Sequence, residues 1–333
     1  LRAVVATASN DHRLGANEAP PAIISVYLGS QLEDVFEQIR QGEVTGCKTK
    51  GVMNIGVDTL PVFAKDPGDR NRTSPFAFTG NRFEFRAVGS GQSVAGPLVA
   101  MNTILADSLN WMAEKLEAEL AAGTELNSAI HKILKEVMEE HGAVVFNGNG
   151  YSKEWHQMAV EERGLANLRT AADALPVLQQ EYIEELFNKM GVLSPVELAS
   201  RFETYSEQYI KSIEVEAKLV VSIAKTAIYP AATRYLSELS NTILSLKELG
   251  LDFDTESIEK VSSLTKSMMD LVSKLSLALS QHDFDSPEEH MQYLAKTIRP
   301  LMDSVREYVD ALEGEVADDL WPLPTYQEML FIK

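Results

Sequence analysis

The chain has 333 residues, 45% of them apolar and 24% charged, the balance of an ordinary globular protein rather than a disordered one. Its net charge is −19, and residues 1–97 carry ten basic and ten acidic side chains, so the excess falls wholly on residues 98–333, a surface that repels a nucleic-acid backbone. No apolar run approaches the ~20 residues a membrane span needs, the N-terminus shows no signal peptide, and one cysteine, Cys47, allows no intrachain disulfide, so the cytoplasm is the expected compartment.

Residues 1–97 mix strand-like and turn-rich pieces. In Asn10-Asp-His-Arg-Leu-Gly-Ala-Asn-Glu-Ala-Pro-Pro21, Gly15, Asn17 and the two prolines argue against regular helix, placing Arg13 and Glu18 on a constrained loop. The bland reading is a surface turn; the sharper one is a binding loop. Ala22 to Leu28, Gly51 to Val57 and Arg82 to Val88 read as strands, and Gln31 to Arg40 as a short helix. Pro61 to Ser74 reads as loop, with a turn at Pro67-Gly68-Asp69. Residues 65–86 hold five basic and three acidic side chains, a small basic island suited to phosphate.

The most informative stretch is Arg82-Phe-Glu-Phe-Arg86. Strict alternation puts Arg82, Glu84 and Arg86 on one strand face and Phe83 and Phe85 on the other, which is expected to be buried. Alone this describes a salt-bridged solvent face. It also suits an anionic substrate with a metal ion, since guanidiniums grip carboxylate or phosphate and a carboxylate ligates hard cations.

From Pro97 the pattern turns helical, with an apolar stripe at Leu98, Met101, Leu105, Leu109, Met112, Leu116 and Leu120. A second helix spans about Thr124 to His141. Phe146-Asn-Gly-Asn-Gly-Tyr151 interrupts the helices; it lacks a phosphate-loop pattern and reads as a structural turn with left-handed glycines. Ser194-Pro-Val-Glu197 and Ser286-Pro-Glu-Glu289 are capping boxes. They open helices running to about Leu249, kinked at Pro230, and to about Glu313, kinked near Pro300, with another from about Thr255 to Gln281 between them. The tail around Trp321-Pro-Leu-Pro324 is apolar and expected to dock. The histidines show no metal-ligand spacing, and only His12 lies near the charged motifs, where an orienting role fits better than ligation.

Taken together, these motifs resemble glutamine synthetase, and its type III branch in particular. Arg13-Leu-Gly-Ala-Asn-Glu18-Ala-Pro is similar to the family's flap, Asn71-Arg72-Thr73-Ser74 to its phosphate-side motif, and Arg82-Phe-Glu84-Phe-Arg86 to its metal and substrate strand. Phe146 to Ser152 and Trp321 to Glu328 extend the likeness toward the C-terminus. The resemblance implies an α+β chain: residues 1–97 as the C-terminal part of a catalytic sheet domain, 98–315 a helical region and 316–333 a proline-punctuated tail. The chain opens at Leu1, directly before the charged loop, so it is expected to be the C-terminal portion of a longer polypeptide whose remainder supplies most metal-ligating carboxylates.

The implied reaction is ATP-dependent amide formation from glutamate and ammonia through a γ-glutamyl phosphate, with Mg2+ or Mn2+, in a homo-oligomer of stacked hexameric rings. Carried over by position, Arg13 and Arg86 hold glutamate, Arg72 meets the transferring phosphate, Arg82 binds ATP, Glu84 ligates metal and Glu18 closes the site and takes a proton from ammonium. Two departures stand out. Ala77 replaces an expected arginine, leaving Arg70 or Lys65 to compensate, and Ala87-Val88-Gly89-Ser90 lacks the family's aspartate. The alternatives are a γ-glutamyl ligase for another amine and a non-catalytic helical assembly or regulatory module.

Overall fold

The computed structural model describes residues 1–16, 19–42, 46, 52–53, 56, 63–64 and 73–330, with residues 52–53, 63–64 and 326–327 described by backbone only. Glu18, Cys47, Lys65, the 67–69 turn, Arg70, Asn71 and Arg72 lie outside the described residues. The chain is α+β, with small sheets near its start and long helices after them, as the sequence implies. It forms two compact units, Leu1–Tyr205 and Ser206–Lys333. The change from strand to helix near residue 97 falls inside the first.

The first unit opens with a short 3-10 turn and α1 (Ala8–Arg13), then β1 (Val26–Tyr27), α2 (Gly29–Gln41), β2 (Val52–Met53), β3 (Phe63–Ala64), β4 (Phe76–Phe78) and β5 (Phe83–Phe85). β4 lies between a parallel β1 and an antiparallel β5, and β2 pairs antiparallel with β3. The helices α3 (Ala95–Ala121), α4 (Leu126–His141), α5 (Lys153–Glu161), α6 (Ala171–Ala174) and α7 (Glu181–Lys189) follow. Among the described residues, Ala100, Phe187, Leu193 and Leu198 form one small core, and Ile23, Trp155 and Ala159 form another. In the second, Phe146 stacks on Trp155 at 3.7 Å, and the Arg163 guanidinium lies over both rings while donating to Val145 O at 2.7 Å.

Three expectations change here. Arg13 closes α1 rather than sitting on a loop: Thr7 Oγ1 caps that helix by accepting the Asn10 N–H, which lets six residues coil before Gly15 (φ 83) ends them. The 22–28 segment is strand only at Val26–Tyr27, where it meets β4. The α3 stripe is not a buried seam, since Leu98, Leu105, Leu109 and Leu120 stay exposed.

The interrupting loop is a structural turn, but its glycines serve close approach instead of positive φ. A Cβ on Gly150 would sit 1.9 Å from Thr73 O, and one on Gly148 would strike the Phe146 ring. Asn147 Oδ1 accepts the Leu28 and Gly29 N–H groups, both at 2.9 Å, covering the start of α2.

Helix α8 (Pro195–Ile223) opens on the Ser194–Glu197 box, with Ser194 N to Glu197 Oε2 at 2.8 Å. The second unit contains α9 (Tyr229–Glu248), α10 (Glu256–Ala278), α11 (Pro287–Tyr293), α12 (Arg299–Glu313) and α13 (Tyr326–Leu330). Val261, Thr265, Met268, Val272 and Leu275 form the buried stripe of α10, which packs against α9 and α12. Both kinks are π turns, Ala224–Ile228 and Leu294–Ile298, each placing a proline two residues on. The wider turn accommodates a ring that lacks an N–H and would collide with the carbonyl four residues back. At Ser286 the box is shifted: Glu289 reaches back to Asp285 N instead. Trp321 in the tail is buried.

Candidate active site

The hairpin of β4 and β5 sets the site. Gly80 (φ 100) turns the chain, Thr79 N donates to Arg82 O at 2.8 Å, and Arg86 N donates to Pro75 O at 2.8 Å, so the ladder extends past both ends of β5. The register pairs Phe76 with Phe85, Ala77 with Glu84 and Phe78 with Phe83. The aromatic and charged residues therefore take opposite faces. The aromatic face is less buried than alternation implies: Phe83 is 45% exposed, because the four rings stack laterally on one another at 5.3–6.3 Å.

On the charged face, Arg82 Nε and Nη2 donate to Glu84 Oε1 at 3.0 and 2.9 Å, and Arg86 Nε donates to Oε2 at 3.4 Å. Arg82, followed by Arg86, holds the Glu84 carboxyl below the usual carboxylate range, so it is anionic at neutral pH. Exposure is graded across the row: 70% for Arg82, 34% for Glu84 and 13% for Arg86. The outer arginine meets solvent while the inner one is fixed in the floor. Ala77 shares Glu84's face, is fully buried, and pairs on its other side with Tyr27.

Arg13 comes to the same strand end. Its Nη1 donates to Asn10 Oδ1 at 3.1 Å and Ala87 O at 3.2 Å, and its Nη2 donates to Arg86 O at 3.0 Å. Of the six site residues read from sequence, Arg13, Arg82, Glu84 and Arg86 thus converge on β5. Glu18 and Arg72 lie outside the described residues; among the described ones Gly15 N donates to Pro20 O at 2.9 Å and Thr73 Oγ1 to Gly148 O at 3.5 Å. His12 is exposed on α1.

The site also uses residues that sequence reading passed over. Arg2 and Asp11 form a buried pair at 3.7 Å; Arg2 Nε donates to Leu168 O at 2.8 Å, and Asp11 Oδ1 accepts the Ala171 N–H at 2.7 Å at the start of α6. Asn10 is completely buried beneath Arg13. It stands three residues before Arg13, on one turn of α1.

The described residues thus place one ionised carboxylate between two guanidiniums, with a third guanidinium tied to the backbone of the same strand end. Residues 129–247 match the family described as the glutamine synthetase C-terminal domain. Over its whole length the chain is 41% identical to the type-3 glutamine synthetase of Dictyostelium discoideum, covering 46% of that protein. It is also 36% identical to the glutamine synthetases of Bacteroides fragilis (strain YCH46) and Butyrivibrio fibrisolvens, across 100% and 99% of the chain and 47% of each relative. The chain is thus similar over its whole length to glutamine synthetases, and it spans about half the length of the curated relatives it matches.

Proposed function

We propose that this chain carries the arginine–carboxylate part of a glutamate–ammonia ligase active site, one that spends ATP to form glutamine. The observation that carries the reading is the convergence of Arg13, Arg82, Glu84 and Arg86 on one strand end, within a chain similar along its whole length to glutamine synthetases.

The carboxylate of glutamate is a poor electrophile. Its side-chain oxygen attacks the γ-phosphorus of ATP, ADP leaves, and the γ-glutamyl phosphate formed is then attacked by ammonia at the acyl carbon, releasing phosphate. Such transfers need positioning and charge neutralisation above all. Arg86 and Arg13 hold the glutamate carboxylates, Arg82 holds the nucleotide at the exposed end of the row, and Arg72 faces the transferring phosphoryl group. Glu18 takes the proton from ammonium and shields the acyl phosphate from water.

The donor set fits a divalent Mg2+ or Mn2+ at Glu84: the carboxylate is anionic and partly open, and among the described residues it is bonded by Arg82, which is largely exposed, and by Arg86. Bound there, the ion supplies neutralisation of phosphate charge. No group of three or more metal-ligating side chains occurs among the described residues, so Glu84 is one ligand of a set completed elsewhere. A homo-oligomer of stacked hexameric rings in the cytoplasm belongs to the same reading; no helix among the described residues is long and apolar enough to cross a membrane.

The test is Glu84→Ala in the full-length protein. Glutamine formation is expected to vanish while the fold is kept; near-normal turnover at saturating magnesium would remove the metal role. Glu18→Ala separates ammonia from water: ATP hydrolysis uncoupled from amide formation is expected to rise. Proportional loss of both products would overturn the flap assignment, and faster product formation with another amine than with ammonia would overturn the substrate.

A further inference from the structure

We propose that Asn10 is a positioning residue that sets the glutamate-binding geometry by locking Arg13 to the end of the strand carrying Arg86; this rests on the functional reading above. The side chain is wholly buried, and two of its three bonds lead to the site. Nδ2 donates to Val5 O at 2.7 Å and to Ala87 O at 2.9 Å, and Oδ1 accepts from Arg13 Nη1 at 3.1 Å. One amide therefore joins the start of the chain, the guanidinium and the residue following Arg86.

The chemistry requires an amide. Two donors and an acceptor must lie in one plane; an aspartate would press a second oxygen against two carbonyls, and a serine has a single proton. Arg13 closes the ring by donating to Ala87 O and Arg86 O itself. With those bonds made the fork cannot rotate, so a carboxylate meets it in one orientation relative to Arg86. A core asparagine that merely tied down loops would have no call on Arg13.

Gly89 supplies an independent handle. A Cβ there would fall 2.9 Å from Asn10 Oδ1 and 3.4 Å from its Cγ, and Gly89 does not adopt positive φ, so alanine is allowed by the backbone and meets Asn10 first. The glycine leaves the room the clamp occupies.

The experiment uses the full-length enzyme with Asn10→Ala and Gly89→Ala, reading KM for glutamate and for ATP, glutamate affinity by calorimetry, and melting temperature. Asn10→Ala is expected to raise the glutamate KM on the order of tenfold, since small misplacements of binding groups carry large penalties, with the ATP KM within about twofold. Gly89→Ala is expected to move the same constant in the same direction by less. A folded variant with wild-type glutamate KM, or equal rises for both substrates, overturns the proposal. Should Asn10→Ala fail to fold, Gly89→Ala decides alone. If wild-type enzyme binds glutamate but forms no glutamine, the functional reading fails while the affinity arm still decides Asn10; if it binds no glutamate, both fall.

Discussion

The segment that bears the site and the helices of the second unit are held together in opposite ways. Around β5 the decisive bonds join residues far apart in sequence: Asn10 with Ala87, Arg13 with Arg86, Arg2 with Leu168. In the second unit, order is mostly local, through the Ser286 cap, π turns before prolines and one buried stripe along α10. The site is therefore only as well placed as its long-range polar ties, whereas the helices depend on pattern and packing. That contrast sets an order of sensitivity.

The largest effect is expected at Asp11. Asp11→Ala leaves the buried Arg2 guanidinium without its carboxylate and the Ala171 N–H without its acceptor. Breaking one side of a buried pair costs roughly 3–5 kcal/mol. Denaturant unfolding checks this; a loss no greater than that of an exposed pair such as Lys211–Glu207 would erase the contrast.

Next comes Ala77→Arg, which inserts the arginine the family resemblance leads one to expect. Ala77 has no exposed surface and lies between Tyr27 and Glu84 in the sheet register, so a guanidinium must displace neighbours. Overpacking is expected to cost about 1–3 kcal/mol and to lower activity. A gain in activity at unchanged stability would mean that this position is open to a phosphate-binding side chain.

These two positions show what was legible in the sequence. Helix caps and proline kinks are written in neighbouring residues, so α8, α10 and the helix pair around Pro300 are readable to within a few residues, as is the charged face of β5. The short helix around Asn10 was not, because glycine and proline downstream outweighed a Thr7 cap that only coordinates reveal. Nor was the exposure of Phe83 or of the α3 leucines, since periodicity reports which residues share a face and not what covers it. Asn10 and Asp11 stand in the quoted motif, but their partners lie 77 and 160 residues away, a distance no spacing rule bridges.

A smaller loss is expected from the caps. Ser194→Ala removes a hydroxyl that donates to Glu197 Oε2 at 2.8 Å, and Ser286→Ala removes the acceptor of Glu289 N–H at 3.1 Å. Each is expected to cost about 1 kcal/mol. A loss at Ser286 equal to or greater than that at Asp11 would show that the helices of the second unit, too, hang on single polar ties.

The smallest effect should appear only as a pH dependence. His290 stacks on Phe284 at 4.2 Å, with Nε2 3.4 Å from Glu214 Oε1. Burial pushes its pKa below the usual histidine value; Glu214 opposes this and His282 reinforces it. The folded state thus favours the neutral ring, while the unfolded chain binds a proton near pH 6.5. Between the lowered value and about 6.5 the unfolded state carries more protons, so stability rises with pH across that window. The contribution is complete above about 6.5 and is lost on acidification through the window below it. His290→Gln is expected to flatten this slope while leaving stability at pH 8 nearly unchanged, and the change is small because the ring keeps some solvent screening. Melting temperatures from pH 5 to 8 for both proteins measure it. A slope of opposite sign, with stability rising on acidification, would mean that Glu214 outweighs burial and that this contact is a working ion pair.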